Sequence, residues 1–118
     1  MKRPGDVSFT RVSGVPVAEV RGELDLSNTG RIGAEIRREV INADPGVIVD
    51  LSGVTYLDSS AIRLLFELEG QLRSRLQQLR VAVPQEAYIR TILEIARLEE
   101  KVPVHRAVGD AVAAFGGR

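Results

Sequence analysis

The stretch from Val47 to Leu79 constrains the fold more than any other part of the chain. It opens with the run Val47–Leu51, in which Asp50 is the one polar residue. Turn residues bound this run on both sides, and its short length and β-branched content predict a strand that is buried on both faces. Residues 52–57 follow as a predicted short connection, and the chain then reaches Asp58-Ser59-Ser60.

The segment after Ser60 has the apolar spacing of a helix. Apolar residues recur at three- and four-residue steps at Ala61, Leu64, Leu65, Leu68, Leu72, Leu76 and Leu79. This pattern predicts an amphipathic helix that runs to Leu79 and lies on a sheet, with Asp58 as its N-cap. Ile62 and Phe66 stand four apart at the edge of this stripe, so they share a face. They either complete the core or form a small exposed apolar patch beside the helix start.

The rest of the chain alternates predicted strands with predicted helices. The predicted elements are a hairpin of strands 7–10 and 15–20 turning at Ser13-Gly14, a helix starting at Ser27, Asn28 or Thr29, a strand at 80–83, a helix at 85–97, an edge strand at 102–104 and a helix at 111–115 capped by Asp110. This order predicts a single α/β domain over residues 1–118. Its sheet is mixed and mostly parallel, with four to five strands after an N-terminal hairpin and about four helices packed on it.

The composition narrows the function. The 16 basic and 16 acidic side chains cancel, so no strong overall field favours nucleic acid or an anionic membrane. There are no cysteines, which removes disulfides and thiolate metal sites. No apolar run approaches the roughly 20 residues of a membrane helix, and the first residues do not form a signal peptide. We therefore expect a cytoplasmic protein without membrane insertion or direct nucleic-acid binding.

The motifs of common enzymes are missing from the sequence. It has neither a phosphate-binding loop with its lysine nor a dinucleotide-binding turn, and Ser59 lacks the G-x-S-x-G elbow that a Ser-His-Asp triad with the lone His105 would need. A magnesium-dependent phosphotransfer site built from Asp25, Asp50 and Asp58 is the remaining enzyme hypothesis, and it lacks a suitably placed lysine. We therefore expect a protein that is not an enzyme and that holds no cofactor or metal.

The start of the helix after Asp58 is the predicted place of recognition. Free N–H groups and the helix dipole favour an added negative charge in a first helical turn. A phosphate on Ser59 would be well held there. It would also place about two negative charges beside Asp58, on a surface that would include Ile62 and Phe66 if they form the exposed patch. A site of this kind is a switch, because the phosphate can abolish docking without altering the fold.

Two segments carry a resemblance to a known family. The first is Arg-Gly-Glu-Leu-Asp at residues 21–25, and the second is the block of residues 47–61 that contains Asp-Leu-Ser-Gly-Val and Asp-Ser-Ser-Ala. Together they resemble the "GELD" turn and the "D-L-S-x-V … D-S-S-(G/A)" block of the STAS-domain anti-sigma factor antagonists of bacteria. Ala61 stands where many members of that family have glycine.

The resemblance implies a partner-switching mechanism. An anti-sigma factor that is also a serine kinase of the ATPase fold would phosphorylate Ser59, and a PP2C-type phosphatase would reset it. The unphosphorylated protein, a monomer or weak dimer, would bind the kinase and free the sigma factor. In this mechanism Asp25 lies near the phosphorylated serine and the partner surface, Asp58 caps and orients the helix, and Ser60 supports the turn.

STAS domains also have other roles, which leaves an alternative open. Some are scaffold or regulatory subunits of stress-signalling complexes, and some are partners of lipid-transport ATPases. In such a protein Ser59 would never be phosphorylated.

Overall fold

A mixed five-stranded sheet forms the centre of the computed structural model, which describes residues 3–116. The elements are β1 (Asp6–Val12), β2 (Val15–Leu24), α1 (Thr29–Glu39), β3 (Gly46–Leu57), α2 (Ser59–Arg73), β4 (Gln78–Ala82), α3 (Tyr88–Ile95), a 3-10 turn (Leu98–Glu100), β5 (Val104–His105) and α4 (Val108–Phe115). The strands lie side by side in sequence order. The pair β1–β2 is antiparallel, and each later strand runs parallel to the one before it.

This architecture confirms the predicted fold class, a mixed and mostly parallel sheet with an N-terminal hairpin and four helices. The predicted hairpin turn is also confirmed. Ser13 and Gly14 both have positive φ, 51° and 80°, which matches the right-handed twist of the flanking strands. Residues 1–2 and 117–118, the ends of the predicted domain, lie outside the described residues.

Helices cover both faces of the sheet. The larger core cluster joins α1, α2 and α3 to side chains such as Val20, Val49 and Leu51. The smaller cluster, formed around Val17 and Ile48, packs against α4. Because neighbouring strand residues point to opposite faces, the run from Val47 to Val49 is buried on both sides, as predicted.

The predicted connection at residues 52–57 is wrong, because β3 continues through it to Leu57. Its partner is the second half of β2, which also continues past its predicted end. The pairing joins Gly22 to Val54 and Leu24 to Leu57. The sequence of Ser52 and Gly53 is typical of a turn, but in the structure these residues lie within β3, where the β2–β3 pairing shifts register. On the β2 side, Gly22 has a positive φ of 84°. As a result, β2 and β3 end side by side.

The predicted end of the second helix is also wrong, because α2 stops at Arg73. The Gln77 N–H donates to the carbonyl of Leu72 at 2.8 Å and the Leu76 N–H to that of Arg73 at 3.0 Å, which is the Schellman pattern of helix termination. Leu79 belongs to β4 and is buried there. Leu76 takes the left-handed position of the motif, with φ 60° and 96% of its surface exposed. Its helical spacing in the sequence is therefore coincidental.

Smaller corrections concern the ends of other elements. Helix α4 begins at Val108, so Asp110 lies in its first turn and is not its N-cap. Asn28 precedes α1, but its side chain makes no capping bond to that helix. The last strand is Val104–His105, where His105 is half-buried and its Nε2 lies 3.2 Å from the Arg80 guanidinium.

We predict that Leu76→Gly stabilises the protein. A left-handed conformation costs a side-chain-bearing residue about 1–2 kcal/mol, and glycine gives back roughly 0.5–1 kcal/mol through its greater freedom in the unfolded chain. The expected gain in the free energy of unfolding is therefore about 0.5–1 kcal/mol, measured by urea denaturation. Leu76→Ala is the matched control, since it removes the exposed side chain but keeps the strained backbone. A glycine variant no more stable than the alanine variant contradicts this account.

Candidate functional site

The paired ends of β2 and β3 bring two loops together. The Asp58 N–H donates to the carbonyl of Leu24 at 3.2 Å. The Leu26 N–H also lies close enough to the Asp58 carboxylate to lower its pKa. The residue that starts α2 is thus tied to the loop that leads into α1. Parallel pairing explains this proximity, because both strands end at the same edge of the sheet.

Asp58 is the N-cap of α2, as predicted. Its Oδ1 accepts hydrogen bonds from the Ser60 N–H at 2.9 Å and the Ala61 N–H at 3.3 Å, and from the Ser60 hydroxyl. Burial is the largest influence on the Asp58 carboxyl and raises its pKa. The hydrogen bonds from Ser60 and Ala61, together with the nearby Leu26 N–H, outweigh burial, so the net pKa is lowered. The carboxylate is therefore ionised at neutral pH and holds the first helical turn.

The two serines after Asp58 differ in what their hydroxyls contact. The Ser60 hydroxyl donates to Asp58 and the residue is half-buried. Ser59 is the first residue of α2 and is exposed, and within residues 3–116 no group forms a hydrogen bond with its hydroxyl. Only the first of the two hydroxyls is free to react without breaking the cap.

Asp25 lies in the neighbouring loop, where its bonds are local. Its Oδ1 accepts from the Ser27 N–H at 2.9 Å and from the Ser27 hydroxyl. Its backbone carbonyl accepts from the N–H groups of Asn28 and Thr29, each at 3.0 Å. The Asp25 carboxylate therefore shapes the loop beside Asp58, and its predicted role toward a partner remains a prediction.

Asn28 is a structural residue of the site that the sequence reading missed. Its side chain is 5% exposed, accepts from the Asp25 N–H at 3.1 Å and donates to the carbonyl of Glu23 at 2.8 Å. These two bonds close the turn between β2 and α1. The signal in the sequence is an asparagine three residues after an aspartate, a spacing that also fits a helix cap.

The apolar surface beside Ser59 differs from the expected one. Ile62 and Phe66 are half-buried and pack against the core, so they complete it rather than form a free patch. The exposed apolar side chain is that of Leu26, which has 81% of its surface exposed. Leu26 borders a shallow groove of about 220 Å³ between the starts of α1 and α2, which Ser60 and Arg63 also line.

The carboxylates of the enzyme hypothesis do not share a site. Asp50 lies within β3, and its carboxylate accepts from the N–H and hydroxyl of Ser52. At about 3.3 Å per strand residue, Asp50 and Asp58 are roughly 25 Å apart along the chain. In the part of the chain that the structure describes, no group of three or more acidic, histidine or cysteine side chains is arranged to hold a metal ion. No helix among these residues has the length and apolar character needed to cross a membrane.

Comparison of the sequence with known families and relatives gives two findings. The model of the STAS domain family matches residues 6–111. A relative from Bordetella bronchiseptica, BtrV, is named as an anti-sigma factor antagonist. It is 25% identical over 109 residues, which cover 92% of this chain and 93% of the relative.

Solved structures share the fold at lower sequence identity. An anti-sigma factor antagonist from Mycobacterium paratuberculosis is 23% identical with a TM-score of 0.85, and the match covers 98% of each chain. The anti-sigma factor antagonist SpoIIAA in its unphosphorylated form gives a TM-score of 0.77 at 18% identity over 96% of this chain and 98% of the other. The phosphorylated form of Bacillus SpoIIAA gives a TM-score of 0.68 at 18% identity, and the match covers 92% of this chain and 98% of the other. The family match spans nearly the whole chain and the fold agrees with it, so this protein belongs to the STAS domain family.

Proposed function

We propose that this protein is an anti-sigma factor antagonist that works by partner switching. Its unphosphorylated form binds an anti-sigma factor that is also a serine kinase of the ATPase fold, and so releases the sigma factor. Phosphate on Ser59 switches this binding off, and a PP2C-type phosphatase restores it. The observation that carries the proposal is the exposed, unbonded hydroxyl of Ser59 beside the bonded hydroxyl of Ser60. The names of the relatives support the antagonist role, and the phosphorylated form of SpoIIAA supports the switch.

The surroundings of Ser59 suit a phosphate that leaves the fold intact. The phosphate would stand at the N-terminus of a 15-residue helix, where the helix dipole favours an anion. Arg63 follows one turn later on the same side of the helix, is exposed, and has no ion pair within the described residues. It is placed to offset part of the repulsion between the phosphate and Asp58.

The same phosphate would act strongly on docking. We place the partner surface around Ser59, with Leu26 as its exposed apolar contact and Asp25 and Ser60 beside it. Ile62 and Phe66 would contribute the edges that the core leaves uncovered. An uncompensated charge buried in such an interface costs about 2–5 kcal/mol. At about 1.4 kcal/mol per decade, this weakens binding roughly thirty- to several-thousand-fold.

We predict that modification of Ser59 controls the affinity for the cognate anti-sigma kinase. Ser59→Ala binds as tightly as the wild type, because it adds no charge, whereas the protein phosphorylated at Ser59 binds at least about thirtyfold more weakly. The affinity of Ser59→Asp for the kinase is expected to lie between those of the unmodified and the phosphorylated protein. The measurement is isothermal titration calorimetry with the purified kinase. Leu26→Ser, which changes only the exposed contact, is expected to weaken binding without altering the thermal midpoint.

Equal affinity for the unmodified, phosphorylated and Ser59→Asp proteins would contradict the switch. That outcome would favour a STAS scaffold or regulatory subunit that is never phosphorylated, for example in a stress-signalling complex or with a lipid-transport ATPase.

We predict that Asp58→Ala lowers the free energy of unfolding at neutral pH by about 1 kcal/mol, the usual value of an N-cap. Burial raises the pKa of folded Asp58, but the hydrogen bonds to its carboxylate leave this pKa below the unfolded value of about 3.9. Its stabilisation is therefore complete above that value and is lost as the pH falls through the folded pKa. The difference in the free energy of unfolding between the wild type and Asp58→Ala, measured by urea denaturation, therefore becomes smaller in acid.

Asp58→Asn is the matched variant, because asparagine keeps the capping oxygen but carries no charge. It should retain most of the stability at neutral pH. An alanine variant as stable as the wild type at neutral pH, or a difference that stays constant into acid, would show that the ionised cap does not hold this helix start.

A further inference from the structure

The two edges of the sheet differ in how well they can pair with a further strand. At one edge, β5 has only two residues and follows Pro103. At the other edge, β1 has seven residues and pairs with β2 without a bulge or a register shift. It contains neither proline nor lysine, which commonly protect an edge strand from pairing. The β1 edge is therefore long, regular and unprotected.

The hairpin turn fixes which backbone groups of β1 point away from β2. The turn has only two residues, Ser13 and Gly14, so the residues that flank it exchange both of their backbone hydrogen bonds. Because this orientation alternates along an antiparallel pair, the N–H and C=O groups of Val7, Phe9 and Arg11 point outward. Within residues 3–116, no other part of the chain forms a hydrogen bond with these groups.

Two observations agree with this orientation. Pro16, which has no N–H to donate, lies opposite Arg11, at a position where the two strands exchange no hydrogen bond. The carbonyl of Gly5, two residues before Val7, also points away from β2, since it accepts from the Arg31 guanidinium at 2.9 Å. The engagement of Gly5 by Arg31 limits the available edge to the residues from Val7 onward.

The centre of the β1 edge carries no charge. The charged residues of β1 are Asp6 and Arg11, near its two ends. The Arg11 guanidinium is already held by Asp44 through hydrogen bonds of 2.8 and 3.1 Å. Between them lies Phe9, which packs against the larger core cluster and remains half-buried. Such an edge does not repel a second copy of itself.

We propose that β1 is a dimer interface, in which the β1 strands of two copies pair antiparallel about a two-fold axis through Phe9. Phe9 of one copy lies opposite Phe9 of the other, and Val7 lies opposite Arg11. In this register all three outward-facing residues find a partner, with two backbone hydrogen bonds for each of three pairs. A register moved by two residues in either direction leaves one of these pairs unformed.

The side chains on both faces of the joined sheet are compatible with this register. The two-fold axis is perpendicular to the sheet, so each face of one copy continues into the same face of the other. On the face of the larger core cluster, the two Phe9 rings form a cross-strand aromatic pair. On the opposite face, Ser8 lies opposite Thr10 and Asp6 lies opposite Val12. No two like charges stand directly opposite each other, which would be destabilising.

The self-complementarity of the edge favours a second copy over a strand from another protein. The same three residues supply every donor and every acceptor of the interface, and dimerisation removes both β1 edges at once. A different protein would have to present an unpaired strand of its own, which folded proteins usually avoid. Because the contact is narrow, we expect a reversible dimer with an interface at the small end of the observed range.

This inference goes beyond the proposed function and does not depend on it. Phe9 lies opposite Ala18, which precedes Leu24 by six residues. At about 3.3 Å per residue, the axis is roughly 20 Å along the sheet from the Leu24 carbonyl that accepts from Asp58. The dimer therefore leaves Ser59 uncovered. Its two copies of Ser59 lie at opposite ends of the joined sheet, so one dimer can hold two partner molecules.

Single-cysteine variants test the register, because the chain has no cysteine of its own. Across the axis, the two Cα atoms of Phe9→Cys are about 5.5 Å apart, which a disulfide can bridge. In Ser8→Cys and in Thr10→Cys, the two equivalent Cα atoms are roughly 8 Å apart, which is too far. After mild oxidation, non-reducing electrophoresis should show a covalent dimer for Phe9→Cys and mainly monomer for the other two. Faster cross-linking of Ser8→Cys or Thr10→Cys than of Phe9→Cys overturns the proposed pairing.

A second pair of variants tests the interface without altering Phe9. Arg11→Ala and Arg11→Pro both lose the ion pair with Asp44, but only the proline variant loses the outward N–H. Arg11→Ala should dimerise like the wild type. Arg11→Pro removes two hydrogen bonds from the dimer and should weaken it about thirtyfold. The measurement is sedimentation equilibrium of the whole protein over about 10–500 µM, a range suited to a small interface. Thermal midpoints of the two variants should agree, since the lost N–H does not face β2.

A wild-type protein that stays monomeric over this range overturns the proposal, and so does equal dimerisation by Arg11→Ala and Arg11→Pro. If the wild type is monomeric and the purified anti-sigma kinase loses affinity for Arg11→Pro but not for Arg11→Ala, the β1 edge accepts a strand from that partner and the assignment to a second copy is wrong.

Discussion

The parallel pairing between the second halves of β2 and β3 is the constraint on which the site depends. Because both strands continue to the same edge of the sheet, Asp25 and Asp58 follow at neighbouring positions. Asp58 then joins the two loops, because its N–H donates to the carbonyl of Leu24 and its carboxylate accepts from the first turn of α2. The helix start is therefore held from both sides, and the Ser59 side chain is presented to the outside.

The Asp58 cap also makes two adjacent serines different, because it engages Ser60 and leaves Ser59 unengaged. Asp58 uses the hydroxyl and N–H of Ser60 to close the first turn, so phosphorylation at Ser60 would remove a bond of the cap. Among residues 3–116, Ser59 makes no side-chain hydrogen bond, so a phosphate there would change the surface charge and leave the cap in place. The proposed switch requires this separation, because a phosphorylated form would have to remain folded to be reset.

Predictions from the sequence succeeded where the interactions are local and failed where they are not. The N-cap role of Asp58, the Ser13-Gly14 turn and the buried strand at 47–51 all follow from neighbouring residues. The extension of β3 through residues 52–57 depends on pairing with β2, some 30 residues earlier, and a Ser-Gly pair resembles a turn when that partner is ignored. Leu76 fits the helical spacing of the apolar residues, but the backbone hydrogen bonds of the Schellman motif end α2 before this residue. The exposure of Leu26 depends on how two loops pack and has no local signal.

The most direct test of the central claim is the position of the phosphate itself. The protein and its cognate anti-sigma kinase would be incubated with ATP, and the modified residue located by tandem mass spectrometry in the wild type and in Ser59→Ala. The account predicts phosphate on Ser59 alone, and no incorporation in the alanine variant, because the Ser60 hydroxyl is engaged by Asp58. Phosphate on Ser60, or an unmodified wild-type protein in the presence of an active cognate kinase, would contradict it.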